Sequence, residues 1–319
     1  MTRRSMTVLA PVFNEEEVIE RFYTSLRDAL SRLADRYDSR IMFVLDRSSD
    51  RTLDILRDIA SRDASVQVVT LSSRFGHQMS LLAGIDLARN ADVIVMMDSD
   101  LQHPPETIAA MLDAYEEGYD IVYTVRSDTE GAGWLRGVAG NTFYRLLSYL
   151  SRVPINENAA DFRLISGRVA KIIRRDIRER NMFLRGLFSW IGFNQKAIHF
   201  KAGTRAAGSS KYTLSRMMGL ATAAILSFST KPLQIGIVLG LGVAAASVLL
   251  MVFTIASYFV DESIPSGWTT LAMLVLAFSG VQLIVMGILG AYIGGIYEEV
   301  KGRPHYIIDE TINFPHEKS

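Results

Sequence analysis

Through its first 125 residues the chain alternates short apolar runs with amphipathic stretches, and after that its character changes. Met6–Phe13 is almost wholly apolar and reads as a buried strand. Asn14 then stands where a helix cap is expected, and Glu15–Glu17 form a first turn whose charge suits the amino end of a helix dipole. Strand-like runs at Ile41–Leu45, Val66–Leu71, Val93–Met97 and Ile121–Val125 follow, separated by helical patterns near 52–62, 77–89 and 105–117. Strands spaced by helices of this length predict an α/β domain with a mostly parallel sheet and crossover helices. In such a sheet the binding crevice lies outside the carboxyl ends of the strands, so the residues just after each strand are the ones to question.

Two long stretches near the end carry no charge at all, Leu233–Val260 and Ser263–Tyr297, with only Asp261-Glu262 between them. Each exceeds the ~20 residues that cross a hydrocarbon core of about 30 Å. A two-helix transmembrane hairpin over 232–298 is the expectation; the bland alternative, two buried helices of a large soluble core, seldom runs so long without a charge. Pro232 is tolerated at a helix start. Lys231 precedes the first span, Lys301 and Arg303 follow the second, and the connecting turn has no basic residue. The positive-inside rule then predicts a multi-pass protein of the inner (plasma) membrane with both flanks cytoplasmic. Before the first span, Leu214, Met217, Met218, Ala221, Ile225 and Phe228 fall on one helical face, which fits a juxtamembrane amphipathic helix over 213–231 or a core-facing one. The Gly236/Gly240 and Gly290/Gly294 spacings permit close helix approach, within the chain or in a homo-oligomer. The expected organisation is therefore a cytoplasmic domain over 1–212, the juxtamembrane helix, the hairpin, and a cytoplasmic tail over 299–319. The amino-terminal apolar run is short and ends in three glutamates, unlike a signal peptide.

Composition sharpens this picture in one respect. The 34 Lys+Arg and 34 Asp+Glu cancel overall, yet residues 1–125 hold 13 basic against 21 acidic side chains and residues 126–231 hold 18 against 6. A basic block beside an apolar tail points to phosphates or an anionic membrane surface. With no cysteine and 49% hydrophobic residues, disorder and a disulfide-stapled module are excluded.

The candidate chemistry sits at the strand ends. After the fourth strand come Asp98-Ser99-Asp100, two carboxylates able to point to one side, and hard oxygen ligands of that kind suit Mg²⁺ or Mn²⁺ bridging a diphosphate. A solvated, helix-capping loop is the other reading. Asp46 and Asp50 follow the second strand, where a carboxylate accepts hydrogen bonds from a nucleobase or ribose, or caps the helix beginning near Thr52. His77 and His103 lie in the same loops and are given no catalytic role, since a lone histidine is more often a hydrogen-bonded structural group. Trp134, Phe143, Tyr144 and Tyr149 read as packing residues.

Taken in order, Pro11-Val12-Phe13-Asn14-Glu15, Asp46 with Ser48-Ser49-Asp50, Arg74-Phe75-Gly76-His77-Gln78, Ala83-Gly84 and Asp98-Ser99-Asp100-Leu101-Gln102 resemble the family-two inverting glycosyltransferases. Asp161-Phe162-Arg163-Leu164, Gly208-Ser209-Ser210-Lys211-Tyr212 and Tyr297-Glu298-Glu299-Val300-Lys301 resemble their polyprenyl-phosphate branch, which includes bactoprenol glucosyltransferases and dolichyl-phosphate mannose synthase. The resemblance implies a GT-A-type fold in which Pro11, Phe13, Glu15 and Asp46 hold the nucleoside. It also implies that Asp98, Asp100 and Gln102 hold the metal and donor diphosphate, and that Asp161 stands at the reacting centre. Arg126, Arg136 and Arg163 would meet the acceptor phosphate, while Arg205, Ser210 and Lys211 would close over the donor phosphates. The sequence departs from the family pattern where Leu45 replaces an acid, Arg47 a glycine, and Gly140 a serine found in some relatives. The implied reaction moves a sugar, with UDP-glucose as first choice, from a nucleotide sugar to polyprenyl (undecaprenyl) monophosphate with inversion. UDP-N-acetylglucosamine, GDP-mannose and modified pentoses stand behind it, and no nucleic-acid partner is expected. The Gln-x-x-Arg-Trp signature of processive synthases is absent. A catalytically silent membrane-anchored scaffold is the alternative from another class, and a transporter is disfavoured because the spans carry no charge.

Overall fold

The computed structural model describes residues 3–126, 159–180, 182–200, 231–260 and 267–314. Arg136, Gly140, Arg205, Ser210, Lys211, the aromatic residues of 134–149 and the helix expected over 213–231 lie outside these residues. The described residues fall into two units. One holds the first three segments and residues 303–314, and the other holds 231–260 and 267–302.

The first unit is built as the apolar pattern requires. Strands β1 (Arg4–Val12), β2 (Tyr37–Leu45), β3 (Val66–Leu71) and β4 (Val93–Met96) alternate with helices α1 (Ile19–Ser31), α2 (Thr52–Arg62) and α3 (His77–Leu87). After α4 (Thr107–Glu116) and β5 (Ile121–Arg126) come β6 (Ala159–Ser166), α5 (Gly167–Asp176), α6 (Leu184–Trp190) and β7 (Gln195–Phe200). Eight strands form one sheet in the order β7-β5-β6-β4-β1-β2-β3-β8, where β8 is Ile308–Ile312. β1 pairs in parallel with β2 and β4, and β2 with β3. β6 runs antiparallel between β4 and β5, and β8 antiparallel against β3, which makes the sheet mixed. Because β6 is antiparallel to both neighbours, β4 and β5 point the same way, and the start of β6 meets their carboxyl ends.

The strand interiors are packed on both faces, which is why they read as continuous apolar runs rather than alternating ones. Val8, Phe43, Val68, Val95 and Phe162 are fully buried with Phe22 and Leu26 of α1. α3 lies close on β1: a Cβ placed on Gly84 would stand 2.0 Å from a methyl of Leu9, itself fully buried. Gly84→Ala should therefore destabilise the fold by about 1–3 kcal/mol, the usual cost of overpacking a core. Thermal unfolding checks this, and an unchanged midpoint would show that Leu9 has room to move.

One local expectation is corrected. Asn14 does not cap α1, which begins five residues later at Ile19 with no side-chain cap. Asn14 instead takes a left-handed backbone (φ 53°), and its Oδ1 accepts from the N–H of Ser49 at 2.9 Å. The asparagine ties the end of β1 to the loop after β2, and Glu15–Glu17 belong to the loop that precedes the helix.

The second unit consists of α7 (Lys231–Val260) and α8 (Trp268–Val300), packed against each other. Both carry windows long and apolar enough to cross a membrane, Lys231–Leu250 and Phe278–Val300. Their apolar side chains face outward: Leu241, Leu249, Phe253 and Leu283 are each more than 60% exposed. That pattern overturns the reading of two helices buried in a soluble core. Gly236 faces Val285 at ordinary contact distance, whereas a Cβ on Gly240, Gly290 or Gly294 would meet nothing within 4 Å among the described residues. The tail expected after the hairpin is not a loose end, since it returns to the first unit as β8.

Candidate active site

Four loops meet at the carboxyl edge of the sheet, after β1, β2, β3 and β4. Side-chain hydrogen bonds join them. Ser99 Oγ donates to the carbonyl of Pro11 at 3.3 Å, and Arg47 Nη1 donates to the carbonyl of Ser72 at 3.0 Å. Of the two carboxylates after β2, Asp50 steadies the start of α2 without being its N-cap, which is Arg51: its Oδ1 accepts from the N–H and the hydroxyl of Thr52. Asp46 is 4% exposed, and its two carboxylate oxygens accept from the N–H groups of Phe75 and Gly76 at 2.9 Å each. It therefore fixes the turn between β3 and α3. Leu45 is buried, a core residue where the family pattern has an acid. Phe13 is half-buried, and the Arg74 guanidinium stacks over its ring at 4.1 Å. Pro11 is buried beneath, and the Glu15 N–H donates to Thr52 Oγ1.

The acid pair stands on the next loop. Met97 is the last buried residue of the β4 run, Asp98 is 35% exposed, and Ser99 points back into the fold. Asp100 Oδ1 accepts from the N–H of Gln102 at 3.1 Å, and Leu101 between them is left-handed (φ 63°), an uncommon conformation for a leucine. The side chain of Gln102 accepts from Arg126, which ends β5. His103 supports this loop from below. It is 2% exposed, stacks on Phe162, and its Nδ1 accepts from the N–H of Asp98 at 3.1 Å. Burial lowers its pKa and keeps it a neutral acceptor despite nearby Asp98 and Asp100. His103 is thus the structural histidine that the sequence suggests.

His77 is different. At the first position of α3, its Nε2 lies 3.7 Å from Asp98 and 3.6 Å from Asp161. Burial works against its charged form, but Asp161 and Asp98 outweigh that and raise its pKa. Asp161, near the start of β6, is also held by Arg185 of α6, with Nε donating to Oδ1 at 3.1 Å and Nη2 2.9 Å from Oδ2. Burial alone would raise the Asp161 carboxyl; His77 and Arg185 together hold it well below the usual carboxylate range. Arg163, expected at the acceptor phosphate, is 5% exposed, its guanidinium packed 4.6 Å from the Phe188 ring centre and 5.9 Å from that of Tyr123. Burial pushes its pKa down to about 10 against the pull of Asp161, and its Nε has no hydrogen-bond partner among the described residues.

The expected residues Pro11, Phe13, Glu15, Asp98, Asp100, Gln102, Arg126 and Asp161 thus lie along one edge. Asp46 and Arg163 lie beneath it as supports. His77, Arg74 and Arg185 are the additions. His77 follows a strand and lies inside a motif already noted, so its position was a usable signal; Arg185 has none in its local sequence. Ser5, Thr7, Arg40, Gln67 and Arg89 line a cavity of about 390 Å³ at the opposite, amino edge, and none of the described site residues lines it.

The donor set on the acid loop fits a hard divalent cation. Asp98 and Asp100 supply carboxylate oxygens and Gln102 an amide, and Mg²⁺ is commonly held by one or two carboxylates plus substrate phosphates rather than by a complete protein cage. Cationic Arg126 beside Gln102 extends the same edge with a group that pairs with phosphate.

Comparison with known proteins agrees with this architecture. The family model described as Glycosyl transferase family 2 matches residues 7–177. The SfII prophage-derived bactoprenol glucosyl transferase of Shigella flexneri is 37% identical over 306 residues, covering 96% of this chain and 98% of that protein. The prophage bactoprenol glucosyl transferase homolog of Escherichia coli (strain K12) is 36% identical over 303 residues, 95% and 98% of the two chains. The glycosyltransferase YkcC of Bacillus subtilis (strain 168) is 37% identical over 305 residues, 96% and 93% of the two. With over half its length matched by the family model and near-complete relatives above 30% identity, the chain is a glycosyltransferase and belongs to glycosyl transferase family 2.

Proposed function

We propose that this chain is a membrane-anchored inverting glycosyltransferase that moves glucose from UDP-glucose to polyprenyl (undecaprenyl) monophosphate at the cytoplasmic face. The observation that carries the proposal is the row of charged groups at the carboxyl edge of the sheet, where Asp98 and Asp100 stand beside the Gln102–Arg126 pair and the Asp161–Arg185 pair. Acids able to hold a cation-bound diphosphate adjoin guanidinium groups able to hold a phosphate. Relatives named bactoprenol glucosyl transferase, aligned almost end to end, support the sugar and the lipid.

In this reading Pro11, Phe13 and Glu15 shape the nucleoside pocket, and Asp46 acts through the turn it holds. Asp98, Asp100 and Gln102 hold Mg²⁺ or Mn²⁺, and the chemistry supplied there is Lewis-acid neutralisation of the leaving diphosphate. Arg126 and Arg136 hold the acceptor phosphate, while Arg205, Ser210 and Lys211 cover the donor. An acceptor phosphate oxygen attacks the anomeric carbon in line, the bond to the diphosphate breaks, and an α-linked donor gives a β-linked product. Holding both substrates in that alignment supplies much of the rate.

The two apolar helices anchor the enzyme. Chain connectivity supports a hairpin: the described residues ahead of α7, 182–200, and those after α8, 303–314, both belong to the globular unit, which favours an even number of crossings. The basic flanks Lys231, Lys301 and Arg303 favour the cytoplasm for that side. The expected domain of 1–212 then gains the returning strand β8.

The test is transfer. Purified full-length protein, polyprenyl phosphate, Mg²⁺ or Mn²⁺ and a panel of UDP-glucose, UDP-N-acetylglucosamine and GDP-mannose are combined and the lipid product is weighed. A hexose adduct from UDP-glucose is expected. A product from another donor would replace the sugar, and no lipid product from any donor would favour the silent scaffold.

A further inference from the structure

Asp161 occupies the position that the family assigns near the reacting centre, yet its surroundings suit a fixed anion better than a proton acceptor. Arg185 grips both of its oxygens, at 3.1 and 2.9 Å, and His77 stands 3.6 Å from Oδ2. The side chain is only 22% exposed. The grip itself is rigidly mounted. α6 is anchored by Leu184, Leu187 and Phe188, all buried, and the Leu184 N–H donates to Gln78 Oε1, the residue after His77, at 3.2 Å. Two ties therefore join the starts of α3 and α6: Gln78 to Leu184, and His77 through Asp161 to Arg185. The far end of the second tie is Asp98, 3.7 Å from His77.

The reaction has no need of a proton acceptor at Asp161. A lipid monophosphate has a second ionisation near pH ~6, so close to neutrality its oxygens are already largely anionic. As its oxygen bonds to the anomeric carbon, the electron pair of the broken carbon–oxygen bond leaves with the nucleoside diphosphate. Charge and atoms balance without moving a proton.

We propose that Arg185 is a positioning residue of this transferase, clamping Asp161 so that Asp161 serves as a fixed anion that orients His77 against Asp98. This rests on the transferase reading above. Arg185 and Asp161 then act as one unit, and losing either removes the same contribution.

Four variants of the full-length protein test it: Arg185→Ala, Arg185→Lys, Asp161→Asn and the Arg185→Ala/Asp161→Asn double. Arg185→Ala and Asp161→Asn should each lower kcat by about 10²-fold, within the range lost with one oriented catalytic interaction. The KM for the nucleotide sugar should stay within about twofold of wild type, and the double variant should be no worse than the poorer single one. Arg185→Lys, which keeps the charge but not the two-pronged grip, should recover part of the loss. Millimolar guanidinium should restore Arg185→Ala, a rescue that a merely structural role would not give. The inference is overturned if Arg185→Ala retains wild-type kcat, if the two losses multiply in the double variant, or if guanidinium restores nothing. It is also overturned if Asp161→Asn alone falls about 10⁴-fold while Arg185→Ala falls less than tenfold, the signature of a general base. A wild type that transfers no sugar would instead sink the functional reading beneath it.

Discussion

Asp98→Asn should lower sugar transfer by at least about 10²–10³-fold, the loss typical of removing one preorganised electrostatic contact to a developing charge. Asp98 follows the buried run of β4 and opens to solvent, so its charge is free of the core and available to a ligand. The backbone contact that positions it, its N–H to His103, survives the substitution. Neither His77 at 3.7 Å nor His103 at 3.8 Å is a direct hydrogen-bond partner of the carboxylate, so little folding energy departs with the charge. Activity should collapse while the unfolding midpoint moves by no more than about 2 °C, under 1 kcal/mol for a domain of this size. Chelation should silence the wild type in the same way, with Mn²⁺ or Mg²⁺ restoring it. An Asp98→Asn enzyme within tenfold of wild type would remove the acid loop from the reaction.

That loop was legible because its signal is local: an apolar strand, then two acids two positions apart. The alternation of β1 to β5 with their helices was readable for the same reason, and the ends of α2 and β3 fall where the pattern puts them. What could not be read depends on distant partners. Asn14 looks like a helix cap, but the energy of its conformation is returned by Ser48 and Ser49 thirty-odd positions later. Asp46 looks like a ligand to a base until the N–H groups of Phe75 and Gly76 are seen to take both its oxygens. Arg163 shares a strand face with Asp161, two residues away, yet only the packing of Phe188 and Tyr123 makes it a buried support. For His77 the motif and its place after β3 are legible, but its two carboxylates come from the loop after β4 and from β6, so the pairing itself is not.

Removing residues 306–319 should cost the globular unit about 3 kcal/mol or more, although sequence alone reads this segment as a tail. Ile-Asp-Glu-Thr-Ile places three polar residues between two isoleucines, with no alternation to mark a strand, and it follows a long apolar helix. In the structure it covers β3, whose Val66, Val68 and Val69 are fully buried, and pairs Val68 with Ile312 and Val69 with Thr311. Asn313 Nδ2 donates to the carbonyls of Ala60 and Val66 at 2.7 and 2.9 Å, and Arg57 pairs with Glu310 at 2.7 Å. Before the strand, Tyr306 donates to Asp86 at 2.6 Å, beside the two-pronged Arg178 grip on the same carboxylate. Each lost backbone pairing is worth only about 1 kcal/mol net, but the deletion leaves several buried groups without partners at once. It also bares an apolar sheet edge that Asp309 and Glu310 now present to water as charge, so association of the truncated protein should accompany the loss. The unfolding midpoint should fall by about 6–12 °C. Tyr306→Phe, which removes a single hydroxyl contact, should fall far less. A truncated protein that melts with the full chain and stays monodisperse would show that β8 lies on the sheet without stabilising it.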